Sequence, residues 1–429
     1  MTENHRTYSY MNSFQCLGSD CEDTCCRGWD IAVDKIHYER IESVCSRDPG
    51  GRERFHELVQ INKKDDAQDH SYAVIQRTDS SECSFLTADK LCHLQASYGE
   101  DVLPDTCSLY PRRLWRYQGG FELTGLLSCP EVARKVFLEE DALLEVPLEP
   151  SSLGRLLVSR NRNQEDDLSP YKQGFGFVRE LLLSRLKNFE EPLSEVLFIL
   201  VLWAKKTSTF YHQGIERNVT EQLRQTIDLL EQDEVKALIR EKLSQNSPDS
   251  KLALDTIQGI LKLAAKDEKG RLRSLIDNIY EDWRRRFLWD SDSESEVSAG
   301  VVWEAYETQR NALDPGLLNR LEQHSRTFLQ HYVQTYAFTD EVDLARYLLG
   351  MLSQLAMARF LILNHPHLRG VSGARDGGSI PRLDRVSIEV FYLVGRGVQH
   401  HEAVLKGIEA FLMRQFDDTL ANARLLLSF

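Results

Sequence analysis

The placement of cysteine is the sequence feature that most constrains what this chain can fold into. All nine cysteines lie at or before Cys129, and the 300 residues that follow contain none. Thiolates gathered into one third of a chain are typical of a metal or iron–sulfur centre, since zinc and [4Fe-4S] clusters each take four such ligands. Cys45 stands apart from the others, and we interpret it as a buried thiol. The remaining eight fall into two groups and are the candidate metal ligands: Cys16, Cys21, Cys25 and Cys26, then Cys83, Cys92, Cys107 and Cys129.

The thiols are expected to be free rather than paired in disulfides. The first fifteen residues lack the basic segment and apolar run of a secretory signal, so we expect a cytoplasmic protein. In a reducing compartment a dense cysteine pattern favours metal binding over disulfide formation. Burial of all eight thiols as small apolar side chains remains the structural alternative.

The charge and apolar patterns exclude other classes of function. Fifty-two basic against sixty-six acidic residues give a net charge of -14, which disfavours a nucleic-acid-binding protein. The longest apolar run, Val196–Ala204, has nine residues, whereas a transmembrane helix needs about 20. We therefore expect no transmembrane segment, while peripheral membrane association stays open. The sequence is silent on oligomeric state.

Apolar periodicity predicts a mainly α fold. We expect an irregular cysteine-rich module over residues 1–135, with little β structure and at most a strand pair, packed on a helical array over 136–429. A subdivision near 290–300, in an acidic stretch, stays open. The segment Phe121–Leu127 reads as a strand that leads into a helix beginning near Pro130. Predicted helices further along cover 177–186, 196–203, 223–238, 252–263, 317–336, 344–363 and 386–412.

The cysteine spacing does not match the common cofactor motifs. Cys21 and Cys25 fit the first two positions of the Cys-x3-Cys-x2-Cys triplet of radical SAM enzymes, but Gly28 occupies the third. No Gly-x-Gly-x-x-Gly fingerprint follows a strand, which disfavours a Rossmann-type methyltransferase. Cys25 and Cys26 are adjacent, so their side chains are expected to point apart. Either one of them binds a metal while the other packs in the protein, or the two bind different metal centres.

Three segments together carry a family resemblance. FQCLGSDCEDTCCRGWDIAVD, CSFLTADKLCHLQASYGEDVLPDTCSLYPRR and LSCPEVAR, within residues 12–135, resemble the N-terminal signature of the flagellin lysine-N-methylase family. They are more distantly similar to cysteine-cluster proteins described as zinc- or iron-chelating. The resemblance implies methylation of flagellin lysines with S-adenosylmethionine (SAM) in the bacterial cytoplasm. It also implies a [4Fe-4S] cluster held by a subset of the eight cysteines.

The sequence leaves the catalytic residues and the SAM site unassigned. Methyl transfer needs a neutral lysine amine, which desolvation or a nearby base would supply. Two competing classes stay open: a non-catalytic zinc- or iron-chelating protein, and a helical adaptor with a structural metal site. Arg112 and Arg113 are interpreted as salt-bridge partners, with anion binding as the alternative. The pairs His365 with His367 and His400 with His401 do not form a recognisable metal motif. Polar and aromatic candidates in the motif region, none assigned a role, are Asp20, Glu22, Asp23, Trp29, Tyr110 and Glu131.

Overall fold

The protein is mainly α-helical, as the apolar periodicity predicts. The computed structural model describes residues 5–62, 71–117, 120–149, 174–212, 218–244, 249–266, 270–287, 296–336, 338, 343–371 and 378–429. The proposed subdivision near 290–300 falls largely on residues 288–295, which lie outside the described residues. The long helices begin only after residue 174, and the shorter elements precede them.

The N-terminal third contains more β structure than the single strand pair expected. Within the described residues its strands form two small sheets, one of four strands in the order β5-β6-β1-β7 and one of three in the order β2-β4-β3. The expected strand before Pro130 is confirmed as β6, which pairs antiparallel with β5. The strands are β1 (Arg6–Tyr8), β2 (Ile31–Val33), β3 (Val59–Ile61), β4 (Ala73–Ile75), β5 (Arg112–Tyr117), β6 (Gly120–Gly125) and β7 (Glu145–Pro147).

Short helices connect these strands. Asp34 caps α2 by accepting a hydrogen bond from the backbone N–H of His37, and Pro130 occupies the first turn of α6, as expected. The short helices are α1 (Ser9–Asn12), α2 (Lys35–Cys45), α3 (Gly51–Leu58), α4 (His93–Tyr98), α5 (Asp105–Leu109) and α6 (Pro130–Leu138).

The helical array differs from the predicted segments in three respects. Three helices lie outside every predicted segment: Arg271–Phe287, Glu296–Ala312 and Thr419–Leu426. The segment 223–238 is two helices, because the chain turns at Glu231, whose carboxylate is held by Arg185 at 3.0 Å and Lys236 at 2.6 Å. The segment 386–412 is interrupted by a turn of π-helix, Gly395–Gln399. The helices are α7 (Phe175–Lys187), α8 (Leu193–His212), α9 (Val219–Leu230), α10 (Asp233–Ser244), α11 (Ser250–Ala264), α12 (Arg271–Phe287), α13 (Glu296–Ala312), α14 (Pro315–Thr335), α15 (Leu344–Leu363), α16 (Ser379–Val394), α17 (Glu402–Gln415) and α18 (Thr419–Leu426).

The main hydrophobic core crosses residue 135, where the sequence suggested a domain boundary. Tyr8 and Trp115 from the N-terminal sheet share one buried cluster with Trp203 and Phe391 from the helices. A second core, built from residues 31–103, includes Cys45 and Cys83. The two predicted modules therefore share one core, and the boundary at residue 135 stays a prediction.

A buried ionic group fastens the sheet to the helices. The carboxylate of Glu122 in β6 is fully buried and accepts hydrogen bonds from Tyr8 and Arg179, both at 2.6 Å. Arg6 pairs with the same carboxylate at 2.7 Å. Because Arg179 belongs to α7, these contacts fix the position of β1 and β6 against the helical array.

One helix among the described residues, α15, is long and apolar enough to cross a membrane by length and composition alone. Within its most apolar window, 83% of the helix is buried inside the protein. Its residues belong to the main core, which accounts for their apolar character.

Candidate functional site

A cavity of about 520 Å³ lies where the cysteine-rich third meets the helices. We call the segment Cys21–Trp29 the cysteine loop, and it forms one side of the cavity. The beginning of α12 and the π-helical turn form the other side. The volume is within the range of small-molecule sites. Lining residues used below are Asp23, Cys25, Trp29, Tyr110, Ser128, Arg271, Arg396 and His400.

The π-helical turn comes unusually close to the segment before α6. A Cβ atom built on Gly395 would lie 2.9 Å from the backbone nitrogen of Ser128, which is closer than real Cβ contacts allow. Glycine at this position therefore permits the two backbones to approach. Turns of π-helix inside α-helices are frequent at functional sites, and this one directs Arg396 towards the cysteine loop.

Arg396 fastens the cysteine loop to the helical array. Its guanidinium donates to the backbone oxygens of Asp23 and Thr24, both at 3.1 Å, and to that of Ser128 at 3.0 Å. The same group pairs with an Asp23 carboxylate oxygen at 3.1 Å. One side chain from residue 396 thus orders two segments that lie far away in the sequence.

The carboxylate of Asp23 is almost completely buried, with a side chain 4% exposed. Burial raises the pKa of Asp23, and the positive charges of Arg396 and Arg271 oppose that rise. Arg271 lies 3.7 Å from the carboxylate and also pairs with Glu389 at 3.1 Å. The acid therefore acts as a structural anchor for two cations that reach the cavity.

Three rings form an aromatic wall, which we define as Trp29, Tyr110 and His400. The ring centroid of Trp29 lies 5.4 Å from those of both Tyr110 and His400. The indole N–H of Trp29 donates to the backbone oxygen of Cys25 at 2.5 Å, which ties the wall to the cysteine loop. Such faces favour cations, including quaternary and sulfonium groups.

Ser128 holds the other two rings in position. Its hydroxyl is 2.6 Å from Nε2 of His400 and 3.2 Å from the hydroxyl of Tyr110. Burial lowers the pKa of His400 to about 4, with the charges of His401 and Arg396 acting in the same direction. His400 is therefore neutral near pH 7, and the wall carries no positive charge of its own.

Six of the eight candidate cysteines gather around Cys25. The thiol of Cys25 hydrogen-bonds to that of Cys26 and interacts electrostatically with Cys21, Cys83, Cys92 and Cys129. The backbone N–H of Cys83 donates to the oxygen of Cys26 at 2.7 Å, which joins the two cysteine groups. Cys25 lines the cavity whereas Cys26 packs against the second core.

The pKa values of five of the gathered thiols are raised, which favours the protonated thiol over an activated thiolate. Burial raises the pKa of Cys83 to about 11 and that of Cys129 to about 12. Hydrogen bonding to Cys26 and burial raise the pKa of Cys25 still further. A nucleophilic cysteine needs the opposite shift, whereas a metal displaces the proton from a thiol that binds it.

The structure places the other three cysteines in different surroundings. Cys16 is exposed, and its sulfur accepts a hydrogen bond from the backbone of Gly18 at 3.4 Å. Cys107, in α5, packs against the second core. Cys45 is buried in that core.

The cysteine sulfurs do not form a closed zinc tetrahedron. Within the described part of the chain, the three potential ligand atoms that lie within 4.8 Å of one another belong to Asp34, His37 and Asp105, and not to cysteines. Four thiolates on one zinc ion would lie only about 3.8 Å apart, given a Zn–S distance of about 2.3 Å. Asp34 and His37 form a short ion pair next to the cap of α2.

The other polar candidates from the sequence lie outside the cavity. Glu22 and Glu131 both pair with Arg134, the former at 2.6 Å. Asp20 is exposed, and His365 and His367 line a neighbouring surface pocket. Asp23, Trp29 and Tyr110 are the candidates that the fold brings to the cavity.

Sequence reasoning missed Ser128, Arg271 and Arg396, and assigned no role to His400. Ser128 directly precedes Cys129 in the motif LSCPEVAR, which was a usable signal. Arg271 and Arg396 lie at the ends of helical segments and carry no local signature. The guanidinium groups of Arg112 and Arg113, interpreted as salt-bridge partners, lie over the rings of Phe14 and Tyr336.

Comparison with known proteins finds lysine-N-methylases and a flagellar biosynthetic protein among the relatives of this chain. A lysine-N-methylase of Salmonella choleraesuis and one of Salmonella typhimurium are each 30% identical to this chain over 135 residues, 32% of this chain and 33% of theirs. The match thus spans about a third of the length of these relatives. A flagellar biosynthetic protein, FliU of Salmonella muenchen, is 30% identical over 135 residues that make up 78% of its length.

No solved structure matches this chain significantly. The family model described as the FliB lysine N-methylase C-terminal domain matches residues 179–426, more than half of the 429 residues. That region supplies α8 to α18 and the cavity residues Arg271, Arg396 and His400. The chain therefore belongs to the FliB lysine N-methylase family.

Proposed function

We propose that this protein is a SAM-dependent protein-lysine N-methyltransferase that acts on flagellin in the bacterial cytoplasm. The observation that carries the proposal is the cavity with the aromatic wall, placed where the family's helical domain meets the cysteine loop. The names of the relatives, lysine-N-methylase and flagellar biosynthetic protein, support the reaction class and the flagellar substrate.

The cavity has the chemistry that a methyl donor requires. The sulfonium of SAM is a cation that binds favourably against aromatic faces, and the wall presents two such faces and a neutral imidazole. Arg271, whose side chain is 35% exposed, offers a cationic group for the donor's carboxylate. We assign the donor to this cavity for these reasons.

Methyl transfer here would proceed by direct displacement. The neutral amine of lysine forms an N–C bond as the S–C bond of the sulfonium breaks, and the sulfur leaves as a neutral thioether. Burial next to Arg271 and Arg396 disfavours the ammonium form of the entering lysine, so its proton is released to water before transfer. Neutral His400 adds no positive charge but supplies an uncharged hydrogen-bonding surface at the wall.

We further propose that the gathered cysteines hold a [4Fe-4S] cluster. The ligands would be four of the six around Cys25, namely Cys21, Cys25, Cys26, Cys83, Cys92 and Cys129. The number and type of donors suit such a cluster. The cluster would supply a fixed thiolate-bound inorganic core beside the cavity and hold the cysteine loop in place.

The proposal is tested by anaerobic purification, metal and sulfide analysis, and methylation assays with SAM and flagellin. About four iron and four sulfide per chain, together with methyl incorporation that Trp29→Ala reduces and Trp29→Phe retains, is the expected result. Stoichiometric zinc without iron would refute the cluster. Absence of methyl transfer to any lysine by the iron-loaded protein would refute the methyltransferase.

A further inference from the structure

A basic groove lies on the surface beside the cavity. We define it by His367, Arg369, Arg382 and Arg385, which line a pocket of about 380 Å³ between the end of α15 and the first two turns of α16. The chain as a whole carries a net charge of -14. A local concentration of cations on an acidic protein is therefore a feature that calls for a partner of opposite charge.

Two of these arginines are available to a ligand. Arg382 and Arg385 are exposed, and neither has an ion pair or side-chain hydrogen bond with any other residue that the structure describes. Arg369 already pairs with Asp282. Among the described residues, none therefore pairs with these two positive charges of the groove.

The acidic residues next to the groove are engaged elsewhere. Asp384, between the two free arginines in sequence, is held by Arg320 at 2.6 Å and lies 3.1 Å from His324. Glu389, one turn further along α16, pairs with Arg271 at 3.1 Å. Because each of these carboxylates faces its own cation, none of them cancels the field of the groove.

An intermediate pocket shares lining residues with both the groove and the cavity. A second pocket, of about 460 Å³, shares His367 and Arg369 with the groove and shares Arg271 with the cavity. A polypeptide in extended form could pass from the cavity along this surface. Shared lining residues therefore connect the cavity, at an aromatic end, to the groove, at a cationic end.

We propose that the basic groove binds an acidic segment of the protein substrate, close to the lysine that enters the cavity. This proposal rests on the proposed function, because the lysine is what the cavity would accept. A nucleic acid or an anionic membrane would also favour arginines, but both are large polyanions that the net charge of -14 repels.

Binding is measured without SAM, so that it does not depend on methyl transfer. The probe is a fluorescein-labelled peptide with one lysine among six glutamates, and its control has glutamine in place of every glutamate. We expect fluorescence anisotropy to show selective binding of the acidic peptide, weakened by salt as surface charge interactions are. The variant R382E/R385E is expected to bind it about tenfold more weakly.

The matched control is R47E/R54E, which changes the net charge by the same amount. Arg47 and Arg54 are exposed and lie in the N-terminal third, where they line none of these pockets. We expect this variant to bind the acidic peptide as the unaltered protein does. Equal weakening in both variants, or no preference for the acidic peptide, would overturn the proposal.

Two further arms separate this proposal from its rivals and from the methyltransferase itself. Tighter, Arg382-dependent binding of a single-stranded oligonucleotide or of phosphatidylglycerol vesicles would overturn the peptide assignment. In methylation assays, R382E/R385E is expected to raise KM for the acidic peptide about tenfold while leaving kcat and activity on the glutamine peptide unchanged. If the protein binds the acidic peptide but methylates no peptide, the proposed function is refuted. If it methylates the acidic peptide equally well with and without R382E/R385E, only the role of the groove is refuted.

Discussion

Arg396→Ala should release the cysteine loop from the helical array. In the folded protein this guanidinium satisfies the backbone oxygens of Asp23, Thr24 and Ser128 and neutralises the buried Asp23 carboxylate. The substitution leaves all of these acceptors without their partner. The cost should therefore be much larger than that of a surface ion pair.

The magnitude follows from the burial of the two groups. Removing one member of a buried ion pair costs about 3–5 kcal/mol, and buried acceptors left unsatisfied cost about 1–3 kcal/mol each. The Arg396 side chain is 20% exposed, so water from the cavity would replace part of what is lost. We expect a loss of about 4 kcal/mol in the free energy of unfolding, or an equally costly local opening of the cysteine loop.

A double-mutant cycle with Asp23→Asn isolates the charge contribution. Asparagine keeps the shape of Asp23 but removes the buried charge, so Arg396→Ala should cost about 2 kcal/mol less in that background. Arg271→Ala serves as the matched comparison, because Arg271 is 35% exposed and 3.7 Å from the same carboxylate. Its loss should cost about 1 kcal/mol or less.

Urea unfolding followed by circular dichroism measures the global change, and hydrogen–deuterium exchange of the cysteine loop measures the local one. Arg396→Ala should accelerate exchange in the loop far more than Arg271→Ala does. A coupling energy between Asp23 and Arg396 below about 0.5 kcal/mol, with unchanged exchange in the loop, would show that Arg396 does not anchor it.

Three further outcomes are expected. Trp29→Ala should weaken SAM binding about tenfold in calorimetry, since a desolvated cation–aromatic contact is worth about 1–2 kcal/mol, whereas Trp29→Phe should retain most of the affinity. Gly395→Ala should cost about 1–3 kcal/mol in unfolding experiments, because its Cβ would meet the backbone of Ser128 at 2.9 Å; unchanged stability would contradict the close approach. Burial lowers the pKa of His331 to about 4, from an ordinary value of about 6.5. Between pH 6.5 and 4 this histidine is protonated in the unfolded chain but not in the folded chain. The free energy of unfolding therefore decreases as the pH falls through this range. His331→Gln, which can still donate to the oxygen of Gly125, should remove about 2 kcal/mol of that loss at pH 5, and an identical pH profile for both proteins would refute the assignment.

Some features of the site could be predicted because they depend on local sequence. Pro130 marks the start of α6 because a proline fits the first turn of a helix, and the alternating segment before it forms β6. The adjacent pair Cys25 and Cys26 was expected to diverge. Cys25 lines the cavity and Cys26 packs against the second core, but their thiols stay close enough to hydrogen-bond. Trp29 and Tyr110 were candidates as well, although nothing local indicated that their rings would meet.

The breaks in the helical pattern were harder to predict. Apolar spacing continues through the turn at Glu231 and through the π-helical turn Gly395–Gln399, so periodicity alone joins the flanking helices. The first break is stabilised by ion pairs of Glu231 with Arg185 in α7 and with Lys236 in α10. The second depends on a close approach to Ser128 that only the folded chain contains.

The sequence by itself determined that thiols would be concentrated in the first third, that long amphipathic helices would follow, and that the chain would resemble the lysine-N-methylase family. Each of these depends on residue type and spacing over short distances. Only the tertiary structure decided that Arg396 and His400 would face the cysteine loop. Arg396 and Asp23, which are in contact, are separated by more than 370 residues in the sequence. The physical reason is that a buried charge or ring finds its partner through packing, and an arginine at the end of a helix has the same local pattern whether it meets a carboxylate or water.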